Sequence, residues 1–341
     1  MASSFTKALS LVFMIMIFMG ISSPLLGAQT LKVASIAPEN SEYGKVLNRI
    51  NAEWIKLSGG KVRMQIIHNG AAGGEEEVQR RIRQGTIQGG LFTSMGLAKI
   101  SLPVLSLSTP LLIRNDLELK NVLHVLEKEL DQYFQKEGFV SLGFARGGWV
   151  YLFSKTNNWN PEDVRQRKIA ANTSDKAMFG TFEAMGYRPI SVAIPDYLNG
   201  LSSGLFDTMI VSPLAALQFQ WFDKANQMLD LKVAPFIGGI LVDERAWNRV
   251  PGDLRPKLIQ AARTVLSLEL DPAVDRLEST SIQKMVENRL NKTTPTPQLT
   301  AAWAAEFQVG VDKMLATGGL DAPSVERIRT ILKDFRTSGE N

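Results

Sequence analysis

The sequence predicts an α/β fold of two domains, and three observations carry that prediction. Stretches of alternating apolar residues are followed repeatedly by stretches of helical periodicity, a pattern that calls for sheets with helices packed on their faces. Beyond Ala28 the 341-residue chain leaves some 313 residues, enough for two domains of ordinary size. Hydrophobic residues make up 45% and charged residues 21%, the balance of a globular chain.

Taken in order, residues 1–28 read as a secretory leader. Lys7 supplies the positive end, residues 9–21 the apolar core, and Leu26-Gly27-Ala28 a small-residue cleavage site. An uncleaved membrane anchor is the alternative. Gly20, Ser22, Ser23 and Pro24 interrupt the apolar run short of the roughly 20 residues a spanning helix needs, which favours cleavage near Ala28 and export to the periplasm. The chain contains no cysteine, so the leader is not followed by a lipoprotein anchor, and stability rests on burial rather than disulfides.

Residues 31–36 and 62–67 alternate as strands. Between them Val46, Ile50, Trp54 and Leu57 recur at helical spacing and stop at Gly59-Gly60. A second helix follows Gly73-Gly74, with Glu75, Glu76 and Glu77 placed to favour its dipole, and ends at Gly85 before a strand over 87–93. The pattern continues with a helix over 116–136, strands over 140–144, 149–154 and 168–171, a helix over 174–185 and a strand over 190–192. Residues 252–290 form a long amphipathic stretch broken by Pro272, either a helix pair or one kinked helix.

Chemistry finds little to work with. His68 and His124 are the only histidines, and neither sits in a metal-binding or nucleophile motif. No catalytic group, cofactor or metal is expected. Removing Lys7 from the 38 basic residues leaves 37 against 34 acidic, a mild net of +3. The clusters Arg80, Arg81, Arg83 and Arg165, Arg167, Lys168 lie beside acids without interleaved aromatics, which argues against nucleic acid as a partner.

The order of segments resembles the DctP-type solute-binding proteins of tripartite ATP-independent periplasmic (TRAP) transporters. The resemblance runs from residues 31–38 through G-G-E-E-E-V-Q-R-R-I-R-Q-G-T-I-Q (73–88), T-P-L-L-I-R-N (109–115) and R-K-I-A-A-N (167–172). It ends with G-Y-R-P-I-S-V-A-I-P-D-Y-L-N-G-L-S-S-G-L-F-D (186–207) and L-V-D-E-R-A-W-N-R-V-P-G-D-L-R (241–255). It implies a periplasmic-binding-protein-like fold, in which two α/β domains flank a ligand cleft and a long helix spans both. The domains would be 31–147 with 235–275, and 148–234 with 276–335. Partners implied are a small-molecule solute, the small and large permease subunits, and, in some relatives, a tetratricopeptide-repeat protein. A sensor or protein-interaction subunit on the same scaffold is the alternative role.

Family members grip a carboxylate with a cleft arginine, whose planar fork binds it bidentately. Ala170 falls on that position. A second cleft arginine falls on Val150, an asparagine on Val211, and a polar residue of the first strand near Ile36. Arg146 is close enough to Val150 to be a displaced substitute. The resemblance with these departures implies an apolar cleft contacted by Ile36, Phe92, Trp149, Val150, Ala170, Ile194 and Val211. Thr93, Ser94, Asn172 and Asp196 would orient a hydrophobic or amphipathic solute, such as a monocarboxylate with an apolar body.

Overall fold

A computed structural model describes residues 28–172 and 176–339, the side chains of 176 and 177 aside. The leader, and Ser174 at the expected start of a helix, lie outside the described residues.

The first half begins with β1 (Gln29–Ser35), α1 (Glu42–Ser58), β2 (Val62–Ile67), α2 (Glu75–Arg83) and β3 (Gly89–Thr93). Parallel pairing joins β1 to both β2 and β3. The α1 helix begins where the Ser41 side chain accepts from the Gly44 N–H and ends where Gly59 turns left-handed at φ 59°, as the Gly-Gly stop predicts. Val46, Ile50 and Trp54 are buried against the sheet, whereas Leu57 is exposed. The Trp54 indole donates to the Leu258 carbonyl at 2.9 Å.

Next come α3 (Ser94–Ile100), a 3₁₀ turn (Leu102–Ser108), α4 (Asp116–Lys136) and β4 (Phe139–Ser154). The second half is built from α5 (Pro161–Arg165), β5 (Lys168–Asn172), α6 (Lys176–Ala184), β6 (Arg188–Val192), α7 (Tyr197–Ser203), β7 (Thr208–Val211) and α8 (Pro213–Gln218). The chain then returns through β8 (Gln227–Asp243), α9 (Glu244–Trp247), α10 (Arg255–Val265), α11 (Asp271–Glu287), β9 (Asn291–Thr293), α12 (Pro297–Ala316) and α13 (Ala322–Thr337).

Among the described residues nine strands form one sheet in the order β2-β1-β3-β8-β4-β7-β5-β6, with β9 beside β8. The order has an internal logic. Each half offers parallel strands and hands the ladder to one long antiparallel strand, β3 to β8 and β7 to β4. These long strands pair with each other along their length and so belong to both halves. The residues expected as two strands, 140–144 and 149–154, are therefore one.

Their pairing shifts register between Arg146, opposite Ile237, and Trp149, opposite Pro235, so that Gly147 and Gly148 together stand across from Phe236. Both glycines are required there. A Cβ on Gly147 would sit 2.1 Å from the Phe236 ring, and one on Gly148, at φ +83°, 2.6 Å from a Glu278 carboxylate oxygen.

Of the two readings of the stretch broken by Pro272, the structure has the single helix rather than the helix pair. A single π turn (Leu266–Leu270) links α10 to α11 without leaving helical geometry. Pro272 has no N–H to donate to the preceding turn, and a locally widened turn is one way a helix absorbs that loss. The resulting rod packs on α1 at one end and on α8 at the other, so it spans both halves of the sheet.

Candidate functional site

A cavity of about 300 Å³ lies where the two halves meet. Val150 on β4, Ala170 and Asn172 on β5, Ile194, and Val211 on β7 line one side. Ser94, Met95 and Ser108 approach from the first half, and Pro235 and Phe236 from the crossing strand. Its far wall is made by α6, the turn after it and α12, through Met178, Thr181, Phe182 and then Met185 facing Phe307, Gly310, Val311 and Met314.

No described lining residue carries a charge, and the polar ones are Ser94, Ser108, Asn172, Thr181 and Tyr197. The two serines are partly committed to the frame. The Ser94 hydroxyl donates to the Ile237 carbonyl at 2.6 Å and accepts from the Ile237 N–H at 3.0 Å, and Ser108 donates to the Pro235 carbonyl at 3.0 Å. They pin the crossing strand to the cavity wall, and what remains for a ligand is oxygen lone pairs.

The structure brings Val150, Ala170, Asn172, Ile194 and Val211 together around this space, with Ser94 beside them. The other sequence-predicted residues do not line it. Ile36 is 46% exposed and borders a separate surface depression with Glu75, Glu76 and Lys99, which meets the cavity at Met95. Phe92 is fully buried in the core. Thr93 caps α3 and donates its hydroxyl to Glu75 at 2.8 Å. Asp196 is exposed ahead of α7.

Arg146 and Trp149 point to the opposite side of β4: alternation from Val150 accounts for Trp149, and the extra residue at the Gly147-Gly148 register shift carries Arg146 to that same face. If Val150 faces the cavity, Trp149 and Tyr151 must face away. There the Trp149 indole donates to Asp116 at 3.0 Å, and its backbone N–H to Glu278 at 2.7 Å. The Tyr151 hydroxyl donates to the other oxygen of Glu278 at 2.8 Å.

Arg146 is not a displaced cleft arginine. Its guanidinium is held by Asp116 at 2.8 Å, Asp271 at 3.2 Å and Asp275 at 3.0 Å, which fastens α4 and α11 to the crossing strand. Burial opposes ionisation of Asp116, but hydrogen bonds from Lys232 and Trp149 outweigh it and hold its carboxyl below the usual range. Burial pushes the carboxyls of Asp271 and Glu278 up, and only partly do Arg146 and Tyr151 offset it. Burial, then the charges of Asp271 and Glu278, push the Tyr43 phenol up to about 12.

Four residues of the basic clusters are likewise spent on structure. Arg80 and Arg81 pair with Glu77, Arg165 pairs with Glu306, and Arg167 donates to the Ser154 hydroxyl.

The sequence from residue 33 to residue 317 matches the family model of bacterial extracellular solute-binding proteins, family 7 (DctP). The chain belongs to that family. Its members are solute receptors of TRAP transport rather than enzymes. A solute-binding protein of Verminephrobacter eiseniae is 24% identical over 238 residues, 69% of this chain and 70% of that protein.

Among solved structures, a TRAP periplasmic solute-binding protein from Ochrobactrum anthropi, its own C-terminus bound in its ligand pocket, superposes at a TM-score of 0.82. It is 16% identical, and the match covers 93% of this chain and 98% of that one. One from Xanthobacter autotrophicus with bound β-D-galacturonate has a TM-score of 0.75 and 19% identity, covering 89% and 99%. The two-lobed fold of these receptors is thus the fold of this DctP-family chain.

The α6 and α12 walls were missed in the sequence, although the signal was there. Residues 178, 181, 182, 185 and 307, 310, 311, 314 each follow the i, i+3, i+4, i+7 spacing of a single helix face. What the pattern alone does not say is that the two faces meet around a void.

Proposed function

We propose that this DctP-family protein is the extracytoplasmic solute-binding subunit of a TRAP-type secondary transporter and that its solute is hydrophobic or amphipathic. One observation supports that cargo above the rest: the cavity between the halves has no charged residue on its described walls. Ala170, Val150 and Val211, which stand where the family resemblance puts two arginines and an asparagine, all border it. A carboxylate brought in without a cation would pay several kcal/mol of desolvation. An apolar solute would instead gain about 25 cal/mol for each Å² of apolar surface removed from water.

The contacts we assign to the solute are Val150, Ala170, Ile194 and Val211, with Asn172 and Ser94 orienting it. Phe92, Thr93, Trp149 and Arg146 support these from behind, and Ile36 stands at the rim. The division into 31–147 with 235–275 and 148–234 with 276–335 is supported by the register shift of the crossing strands, which falls at its boundaries. A solute that touches both halves favours the closed arrangement because that form alone makes all the contacts. Delivery would be to the small and large permease subunits, in the periplasm, after removal of the leader near Ala28. No described helix is long and apolar enough to cross a membrane.

The test pairs native mass spectrometry of protein taken from its own periplasm with thermal melts in the presence of added solutes. A co-purifying apolar or amphipathic mass, together with little stabilisation by succinate or galacturonate, is the expected result. Micromolar succinate binding would overturn the apolar reading.

A further inference from the structure

The cavity does not end at the strands that cross between the two halves. From the strand ends at Ala170 and Val211 it continues between α6 and α12, at the junction of three separate hydrophobic clusters. One cluster contains Ala170 and Val211, another Phe182 and Phe307, and the third Val311, Met314 and Leu320.

Two helices with facing apolar stripes ordinarily close on each other, since interiors pack to crystal-like density. Here each stripe has a small residue at its second position, Thr181 on α6 and Gly310 on α12. These lie opposite one another. A Cβ added to Gly310 would stand 2.6 Å from the Met185 sulfur and 3.5 Å from the Thr181 methyl carbon. Gly310 therefore lets Met185 close directly onto α12, and a side chain there would displace Met185 into the space beside it. Met178, Met185 and Met314 supply unbranched, polarizable walls that adapt to a guest without a fixed shape.

We infer that the space between α6 and α12 is a tail chamber, that the solute carries an extended alkyl chain lying in it, and that Gly310 and Met185 set the chain length accepted. This rests on the apolar-solute reading and adds to it the direction and shape of the ligand. The head of the ligand lies toward Ser94 and Ser108, whose hydroxyl protons are already given to the Ile237 and Pro235 carbonyls. Their lone pairs receive a donor such as a hydroxyl and repel a carboxylate.

The test is calorimetric binding of the straight-chain n-alkanols from butanol to dodecanol by the full mature chain and by two variants that push in opposite directions. In the unaltered protein affinity should rise about fourfold per added methylene, the worth of burying one CH₂, and then level off when the chamber is full. Gly310→Val should bring that plateau to shorter chains while leaving the shortest alkanol bound as before. Met185→Ala, at a half-buried position just past the end of α6, should move the plateau to longer chains. If alkanols bind but both variants keep the original plateau, the tail lies elsewhere and the chamber is overturned while the apolar cavity stands. If no alkanol binds the unaltered protein, the apolar-solute reading falls and the chamber with it.

Discussion

Three carboxylates surround the Arg146 guanidinium, and the residue itself is only 9% exposed, so its removal leaves Asp271 and Asp275 without a cation and Asp116 with Lys232 alone. Breaking a fully buried pair costs about 3–5 kcal/mol. Asp116 and Asp275 are about half exposed, so solvent screens part of this, and Arg146→Ala should lower unfolding stability by about 2 kcal/mol in urea titrations. Solute affinity should stay the same, because the side chain lies on the far side of β4 from the cavity. A comparable loss of affinity would restore the cleft role that its position in the sequence suggests.

Ala170→Arg makes the complementary case. The added guanidinium would enter a cavity with no charged partner among the described residues, so alkanol binding should weaken by tenfold or more. Succinate, which supplies the missing charge, should stabilise the variant more than it stabilises the parent in thermal melts. At this scale the sequence was legible where the strand positions were aligned, as at Val150, Ala170 and Val211. It misled where alternation was ignored, since Trp149 next to Val150 cannot share its face.

The long rod of α10, the π turn and α11 is fastened to the crossing strand by Glu278, which accepts from the Trp149 N–H and the Tyr151 hydroxyl. Burial raises the Glu278 carboxyl above the ordinary glutamate value near 4.3, so the folded state holds that proton more tightly than the unfolded chain does. Its contribution to stability is therefore full below about 4.3 and is lost as pH rises through the folded value. A glutamine in its place stays neutral throughout: its amide oxygen accepts from the Trp149 N–H, and its amide NH₂ donates to the Tyr151 oxygen, reversing that one bond. The stability of Glu278→Gln relative to the parent should thus grow as pH goes from about 4 to about 7, measured by denaturant midpoints at each pH. A difference that stays flat or falls would mean that the buried carboxylate is fully compensated by its donors and by Lys232.

Most elements were readable from alternation, helical spacing and the Gly59-Gly60 stop. The 17-residue β8 was not. Pro235 and Gly238-Gly239 are turn signals in a local reading. In the fold Pro235 sits at the register shift, where a missing N–H is tolerated, and the absent side chain of Gly238 lets the Phe92 carbonyl approach to 2.9 Å of where a Cβ would be. Pairing on both sides outweighs the local preference, and that pairing lies far away in sequence.

In the proposed function the two halves share the solute through a space with no charged residue among its described walls, and this sets how binding by the whole molecule should respond to its surroundings. A receptor that grips a carboxylate with arginine draws on attraction that salt weakens and pH abolishes. Raising ionic strength from about 0.01 M to about 1 M shortens the reach of exposed charges from about 30 Å to about 3 Å. Alkanol affinity here should nevertheless change less than about twofold across that range. It should also be flat from about pH 5 to about pH 8, which lies above the ordinary carboxylate values near 4. The calorimetric signature should be a negative heat-capacity change, the marker of apolar surface leaving water, growing with chain length until the plateau in affinity is reached. A steep loss of affinity with salt would instead place a charged group in contact with the solute. The acidic and basic residues bordering the Ile36 depression, which joins the cavity at Met95, would then be the first to substitute.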